Sequence, residues 1–193
     1  MPDNENVWRW NLTDPDGLKA TVKFELLADL DSEPNNATVE FTGCDRLGAA
    51  NLRGTGYAAH DIVIHKLGAN DRGTWREAEI NVTGLAGFLL AKVAAARGRR
   101  KPKDWYDIAF VLLNNDHGGP HASADRVLEV FGALTGEIRT QLLDLQSNFA
   151  DSSAQGTAAY ADEITLDHPE LDVDIAAADA QLVIAAFTEQ LLR

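Results

Sequence analysis

One cysteine, Cys44, stands among 193 residues, so the chain alone can build neither an internal disulfide nor a cysteine-based zinc site, as suits a reducing compartment. No uninterrupted apolar run approaches the about 18 residues of a membrane span; Leu85 to Ala91 is among the longest. The opening residues MPDNENVWRWNLTDPDG are acidic and polar where a secretory leader needs a basic start and an apolar stretch. These shortages point to a cytoplasmic protein with no membrane partner. Basic residues are scarce in the second half: from Asp104 to Arg193 there are 3 Lys or Arg against 16 Asp or Glu, whereas Met1 to Lys103 holds 14 of each. The whole net charge of -13 therefore lies in the second half. Such a surface repels phosphates, which confines any nucleotide or nucleic acid to the first half or the junction.

The junction holds the cations. Arg97, Arg99, Arg100, Lys101 and Lys103 place five within seven residues, immediately before the acidic half begins. The rest of the composition, 45% hydrophobic and 24% charged, is that of a globular chain large enough for one domain or two small lobes.

Strand patterns dominate up to residue 83. Ala20 to Leu27 alternates Val22, Phe24 and Leu26 against Thr21, Lys23 and Glu25, the period of a half-buried strand. Asn36 to Phe41, Asp61 to Ile64 and Trp75 to Val82 are further candidates, separated by Gly, Asn and Asp clusters. From Gly84 the period becomes helical. Thr83 is suited to cap a helix running to Arg97, with Gly98 as its stop, and Pro102 opens a second helix through DWYDIAFVLLNND. Further helices are expected over 122–134, 136–149, 157–164 and from Asp172 onward. The expected architecture is α+β: a small mixed sheet in residues 1–83 and a helical lobe in residues 84–193 packed on it.

Lys92 is the sharpest local signal. It sits four residues from both Phe88 and Ala96, within an expected buried stripe of Leu85, Phe88, Leu89, Ala95 and Ala96. A lysine there either snorkels to solvent or meets an anion, because burying an unpaired ammonium is costly. On the next helix Asp104, Asp107, Ile108 and Val111 share a face by their spacing. The helix dipole accounts for Asp104, in the first turn. Two helices joined by a short basic turn pack side by side, which brings Lys92 and Asp107 together either as a structural ion pair or as part of a site.

The segment GFLLAKVAAARGRRKPKDWYDIAFVLL, from Gly87, resembles the paired-helix signature of the AbiEii/AbiGii family of nucleotidyltransferase-like toxins. In that family a lysine-bearing helix, a basic turn and a K-D-x-x-D motif follow a catalytic sheet, and Lys92, Ala95, Lys103, Asp104 and Asp107 stand at those places. The strand KFELLADL resembles a later sheet strand whose acidic position falls on Glu25. The resemblance implies a polymerase-beta-type core that transfers a nucleotidyl group from an NTP to an RNA or protein acceptor with Mg²⁺. It implies Lys92, Asp104 and Asp107 as catalytic residues, Arg99, Arg100, Lys101 and Lys103 as substrate-binding residues, and Glu25 as a metal ligand. A protein partner such as an antitoxin is implied as well. The family's metal site uses Gly-Ser followed by D-x-D or D-x-E, and no Gly-Ser dipeptide occurs in this sequence. The expected protein therefore lacks the N-terminal metal motif, and the alternative function is a noncatalytic binding or regulatory module of the same fold.

Other motifs are weaker. Asp29-Leu30-Asp31 places two carboxylates on one face of an extended strand, as a metal clamp requires, but it stands beside turn residues. Gly54-Thr55-Gly56 begins a G-x-G-x-x-A string followed by the strand-like HDIVI rather than a helix. His117 and His121 flank a Gly-Gly-Pro break with no evident third ligand, and Cys44 has no catalytic neighbour and reads as a packing residue.

Overall fold

The computed structural model describes residues 7–13, 17–71 and 73–193, with the side chains of residues 7–10, 44–46 and 71 outside the description. The chain is α+β, and it divides into two compact units, Met1–Gly56 and Tyr57–Arg193. The sequence-based boundary after residue 83 falls inside the second unit.

The first unit holds two small sheets rather than one. Strands β1 (Val7–Thr13) and β2 (Lys19–Glu25) form an antiparallel pair whose backbone register sets position 10 opposite position 22 and position 8 opposite position 24. The alternation in β2 predicts one buried face, yet all seven of its residues are exposed. A two-stranded ribbon has no second layer to cover either face. Strands β3 (Leu27–Ala28), β4 (Thr38–Phe41) and β5 (Cys44–Asn51) make a mixed sheet in the order β3-β5-β4, with β3 parallel and β4 antiparallel to β5. Central strand β5 reads CDRLGAAN, poor in the branched and aromatic residues that mark strands, so pairing rather than propensity makes it one.

In the second unit a four-residue helix α1 (Tyr57–His60) leads into a long hairpin of β6 (Ile62–Asp71) and β7 (Thr74–Thr83). Six longer helices follow: α2 (Leu85–Arg99), α3 (Pro102–Asn114), α4 (Pro120–Phe131), α5 (Glu137–Ser147), α6 (Gln155–Asp167) and α7 (Val173–Leu192). The helical period predicted these six closely. Their ends differ in cause. Gly98 lies inside α2, and the stop is Arg100 in the left-handed region at φ 50°, its N–H donating to Ala96 O. The N-cap of α7 follows the sequence directly, since Asp172 accepts from the N–H groups of Asp174 and Ile175.

The core is mainly helical: Leu89, Leu90 and Val93 of α2, Ile108 and Leu112 of α3, Val127 of α4, Leu142 of α5 and Ile184 and Phe187 of α7 belong to one buried cluster, joined by Leu134 and Phe149 from the connecting segments. The buried face of α2 runs through Ala86, Leu89, Leu90, Val93 and Ala96, whereas Leu85 and Phe88 of the expected stripe are only partly buried. Lys92 therefore sits at the border of the core, not within it. Helix α7 is long and apolar enough, by length and composition, to cross a membrane, although Asp174, Asp179 and Glu189 punctuate it. In this structure its buried residues pack into the helical core.

One glycine fixes the α5–α6 corner. A Cβ on Gly156 would lie 2.3 Å from Phe149 Cε2 and 2.7 Å from the Asn148 carbonyl oxygen. The backbone oxygen cannot move without disturbing the N–H groups of Gly156 and Thr157 that donate to it. Gly156→Ala should cost about 2 kcal/mol through this overpacking, read as a lower urea midpoint at unchanged slope.

Candidate functional site

The residues that carry the resemblance come together at the α2–α3 pair. Arg100 and Lys101 reverse the chain between the helices, so the last turns of α2 face the first turns of α3. Lys92 Nζ lies 2.6 Å from Asp107 Oδ2 and 3.3 Å from Asp104 Oδ1. Arg99 Nη2 donates to the same Asp104 oxygen at 2.7 Å, and Lys103 Nζ lies 3.3 Å from Asp107 Oδ1. Three cations thus surround two carboxylates. The Asp104 side chain is 3% exposed and that of Asp107 18%, while Lys92 and Arg99 keep 23% and 25%. Lys92 Nζ also stands 5.8 Å from the centre of the Phe88 ring, within cation–π range. A carboxylate as buried as Asp104 is tolerable only with such partners. Its second oxygen, Oδ2, and Arg99 Nε are buried with no hydrogen bond among the described residues.

The basic turn is largely neutralised from within. Arg99 and Lys103 belong to the network just described, and Arg100 Nη2 lies 3.6 Å from Asp144 Oδ1 on α5. Lys101 and Arg97 are exposed. The five-cation run of the sequence is therefore not five open cations, because the turn folds back onto the acidic residues that follow it.

Glu25 lies in the first unit, exposed on β2, where it pairs with Lys23 of the same strand. Among the described residues no group of three or more His, Cys, Asp or Glu could hold a metal ion. Asp29 serves the local backbone, its Oδ2 accepting from Gly54 N–H at 3.1 Å and Gly56 N–H at 2.7 Å. The Gly-x-Gly turn thus receives an anion, but one supplied by the chain itself. The G-x-G-x-x-A string runs into α1, a helix of one turn, before the strand begins. Asp31 contributes its backbone carbonyl, which accepts from Arg53 Nη2 at 3.2 Å. His121 Nδ1 is hydrogen-bonded to Gln190 Oε1 at 2.7 Å, and His117 donates its backbone N–H to Asn115 Oδ1. The side chain of Cys44 falls outside the described residues.

Two important residues went unseen in the sequence. Buried Asn51 ties down the 30–34 loop, accepting from Leu30 N–H and donating to the carbonyls of Leu30, Glu33 and Pro34. Buried Asp61 does the same for α2: its Oδ2 accepts from Gly87 N–H at 3.0 Å and its Oδ1 from Arg126 Nη2 at 3.1 Å. It replaces the expected Thr83 cap, for Thr83 Oγ1 donates to the Gly84 carbonyl instead. The nearest sequence signal is Gly84 and Gly87: the missing Cβ of Gly84 leaves room for the Asp61 carboxylate and that of Gly87 for Asp61 Cβ and the Tyr57 carbonyl.

Chemically, the α2–α3 cluster is an ion network poised between structure and recognition. Its cations can turn toward phosphate only by leaving carboxylates that need them. The chain matches no family model, no curated protein and no solved structure.

Proposed function

We propose that this chain is a nucleotidyltransferase-like protein of the AbiEii/AbiGii type that works as a noncatalytic binding module. The observation supporting this is the closure of the Lys92 network, in which both carboxylates, Asp104 and Asp107, already face cations. In-line phosphoryl transfer relies on carboxylates that place Mg²⁺ against a triphosphate. A polymerase-beta-type core, to which the mixed sheet would belong, a cytoplasmic location and a protein partner such as an antitoxin are parts of the same proposal.

A second reading keeps nucleotidyl transfer from an NTP to an RNA or protein acceptor. The Asp104 Oδ2 atom favours it, since it remains an acceptor within the network. Lys92 would then turn to the triphosphate with Asp107 as acidic support, Arg99, Arg100, Lys101 and Lys103 would meet substrate, and Glu25 would join the Mg²⁺ ligands.

The test is incubation of the purified chain with labelled NTPs, Mg²⁺ and bulk RNA. The expected result is no incorporation above that of Lys92→Ala, with at most weak, salt-sensitive nucleotide binding. Metal-dependent incorporation lost in Asp107→Asn would establish the second reading, and its loss in Asp29→Asn would bring the Asp29–Asp31 segment into the site.

A further inference from the structure

The hairpin of β6 and β7 has two unlike faces. Its register sets Val63 opposite Val82, His65 opposite Ile80 and Leu67 opposite Ala78 on one face, with Ala69 and Arg76 toward the turn. The other face carries Lys66 opposite Glu79 and Gly68 opposite Glu77, with Ile62 and Ile64 near the base. That second face is largely covered by its own side chains. Lys66 Nζ lies 3.3 Å from Glu79 Oε1, Trp75 Nε1 donates to Glu77 Oε1 at 3.1 Å, and the Trp75 ring lies across Gly68, where a Cβ would overlap it. The first face is open: Val63, Leu67, Ile80 and Val82 are 37% to 54% exposed. Neither outer edge of the ribbon has a partner strand among the described residues. A two-stranded ribbon with an uncovered apolar face is marginal in water and gains from a second layer.

We propose that this face is the contact of a homodimer, with the same face of a second copy stacked on it about a twofold axis. Charge permits a copy here and opposes one elsewhere. From Ile62 to Thr83, Lys66, Arg72 and Arg76 balance Asp71, Glu77 and Glu79, so the hairpin is neutral in a chain of net charge -13 whose excess lies in residues 104–193. The exposed aliphatics of α7, Ile175 and Leu182, stand instead beside Asp174 and Asp179, where a second copy would meet like charge. Shape agrees as well: Leu67 projects beside the small Ala78 at the middle of the ribbon, a knob and a hollow on one surface, as a self-complementary contact needs. Strands of ten residues are about 34 Å long and about 4.8 Å apart, which gives a face of about 34 Å by 10 Å. Counted on both copies the flat footprint is about 700 Å², and side-chain relief brings the accessible area to about 1,000 Å², the floor for a specific interface. The dimer is therefore reversible, with a dissociation constant in the micromolar range. Stacking of faces, rather than pairing of edges, is the arrangement that covers the apolar side chains.

The test is sedimentation equilibrium of the full chain in about 0.15 M salt, from about 1 to 500 µM protein, which should show a reversible monomer–dimer equilibrium. Leu67→Lys, at an exposed position, should weaken the dimer about tenfold or more with the helical signal unchanged. Ile64→Lys, on the opposite face, should leave the dimer intact. If Leu67→Lys does not fold, Ile80→Lys makes the same test on the neighbouring strand. In ¹⁵N–¹H NMR the amide resonances that move on dilution should be those of residues 62–70 and 74–83. A monomer throughout the range, which is also the outcome if this face awaits a different protein, would overturn the proposal. So would a dimer that survives both Leu67→Lys and Ile80→Lys, a dimer broken by Ile64→Lys, dilution shifts confined to the helices, or open-ended association through the strand edges. No nucleotide enters the measurement, so its outcome is independent of the transfer assay.

Discussion

Asp104→Ala is expected to destabilise the protein by about 3 kcal/mol, near the lower end for breaking a buried ion pair by removing one partner. The lower end applies because the two cations left behind have other recourse. Lys92 keeps Asp107 at 2.6 Å, and the Arg99 side chain is one-quarter exposed and can turn to water. A double-mutant cycle between Asp104→Ala and Arg99→Ala should show a coupling of about 1 kcal/mol or more. The Lys103–Asp107 pair is a contrast within the same network: Lys103 is 78% exposed, so Lys103→Ala should change stability by less than about 0.5 kcal/mol. Urea unfolding followed by the helical signal measures all three. An additive cycle for Asp104 and Arg99 would mean that their 2.7 Å contact contributes no coupling.

Gly87→Ala should cost about 3 kcal/mol, although alanine in a helix is intrinsically favoured over glycine by about 1 kcal/mol. The sign reverses because a Cβ there would lie 2.7 Å from the Tyr57 carbonyl oxygen, 2.7 Å from Thr83 Oγ1 and 3.0 Å from Asp61 Cβ. Relief requires moving α2 away from Asp61, which breaks the hydrogen bond from Gly87 N–H. For the same reason Asp61→Ala should cost about 2 kcal/mol, leaving a buried N–H unpaired and Arg126 with Glu129 as its remaining carboxylate. Thermal unfolding measures both. A stabilised Gly87→Ala variant would show that α2 can shift freely at its first turn.

The Lys92–Asp107 contact was legible for a physical reason, whereas the burial of Asp104 against Lys92 and Arg99 was not, since the helix dipole alone accounts for an aspartate in a first turn. Asp107 lies 15 residues after Lys92, across a turn too short to let the two helices diverge. Helical period and turn length alone therefore bring them together. The fate of the basic turn was not legible, since Arg100 finds Asp144 on α5 and the linear run gives no sign of that partner.

The six longer helices were written in the sequence, because a period of 3.6 in apolar residues, Pro102 and Asp172 at helix starts and the breaks between them are local properties. Tertiary structure alone decided the rest. It made a strand of β5, left both faces of β2 in solvent, gave Asp29 to Gly54 and Gly56, and set Asp61 against Gly87 and against Arg126, 65 residues away. In these cases strand pairing, the number of layers or a distant backbone N–H determines the outcome. A backbone donor has the same chemistry at nearly every residue, so no side-chain pattern announces which carboxylate it will meet.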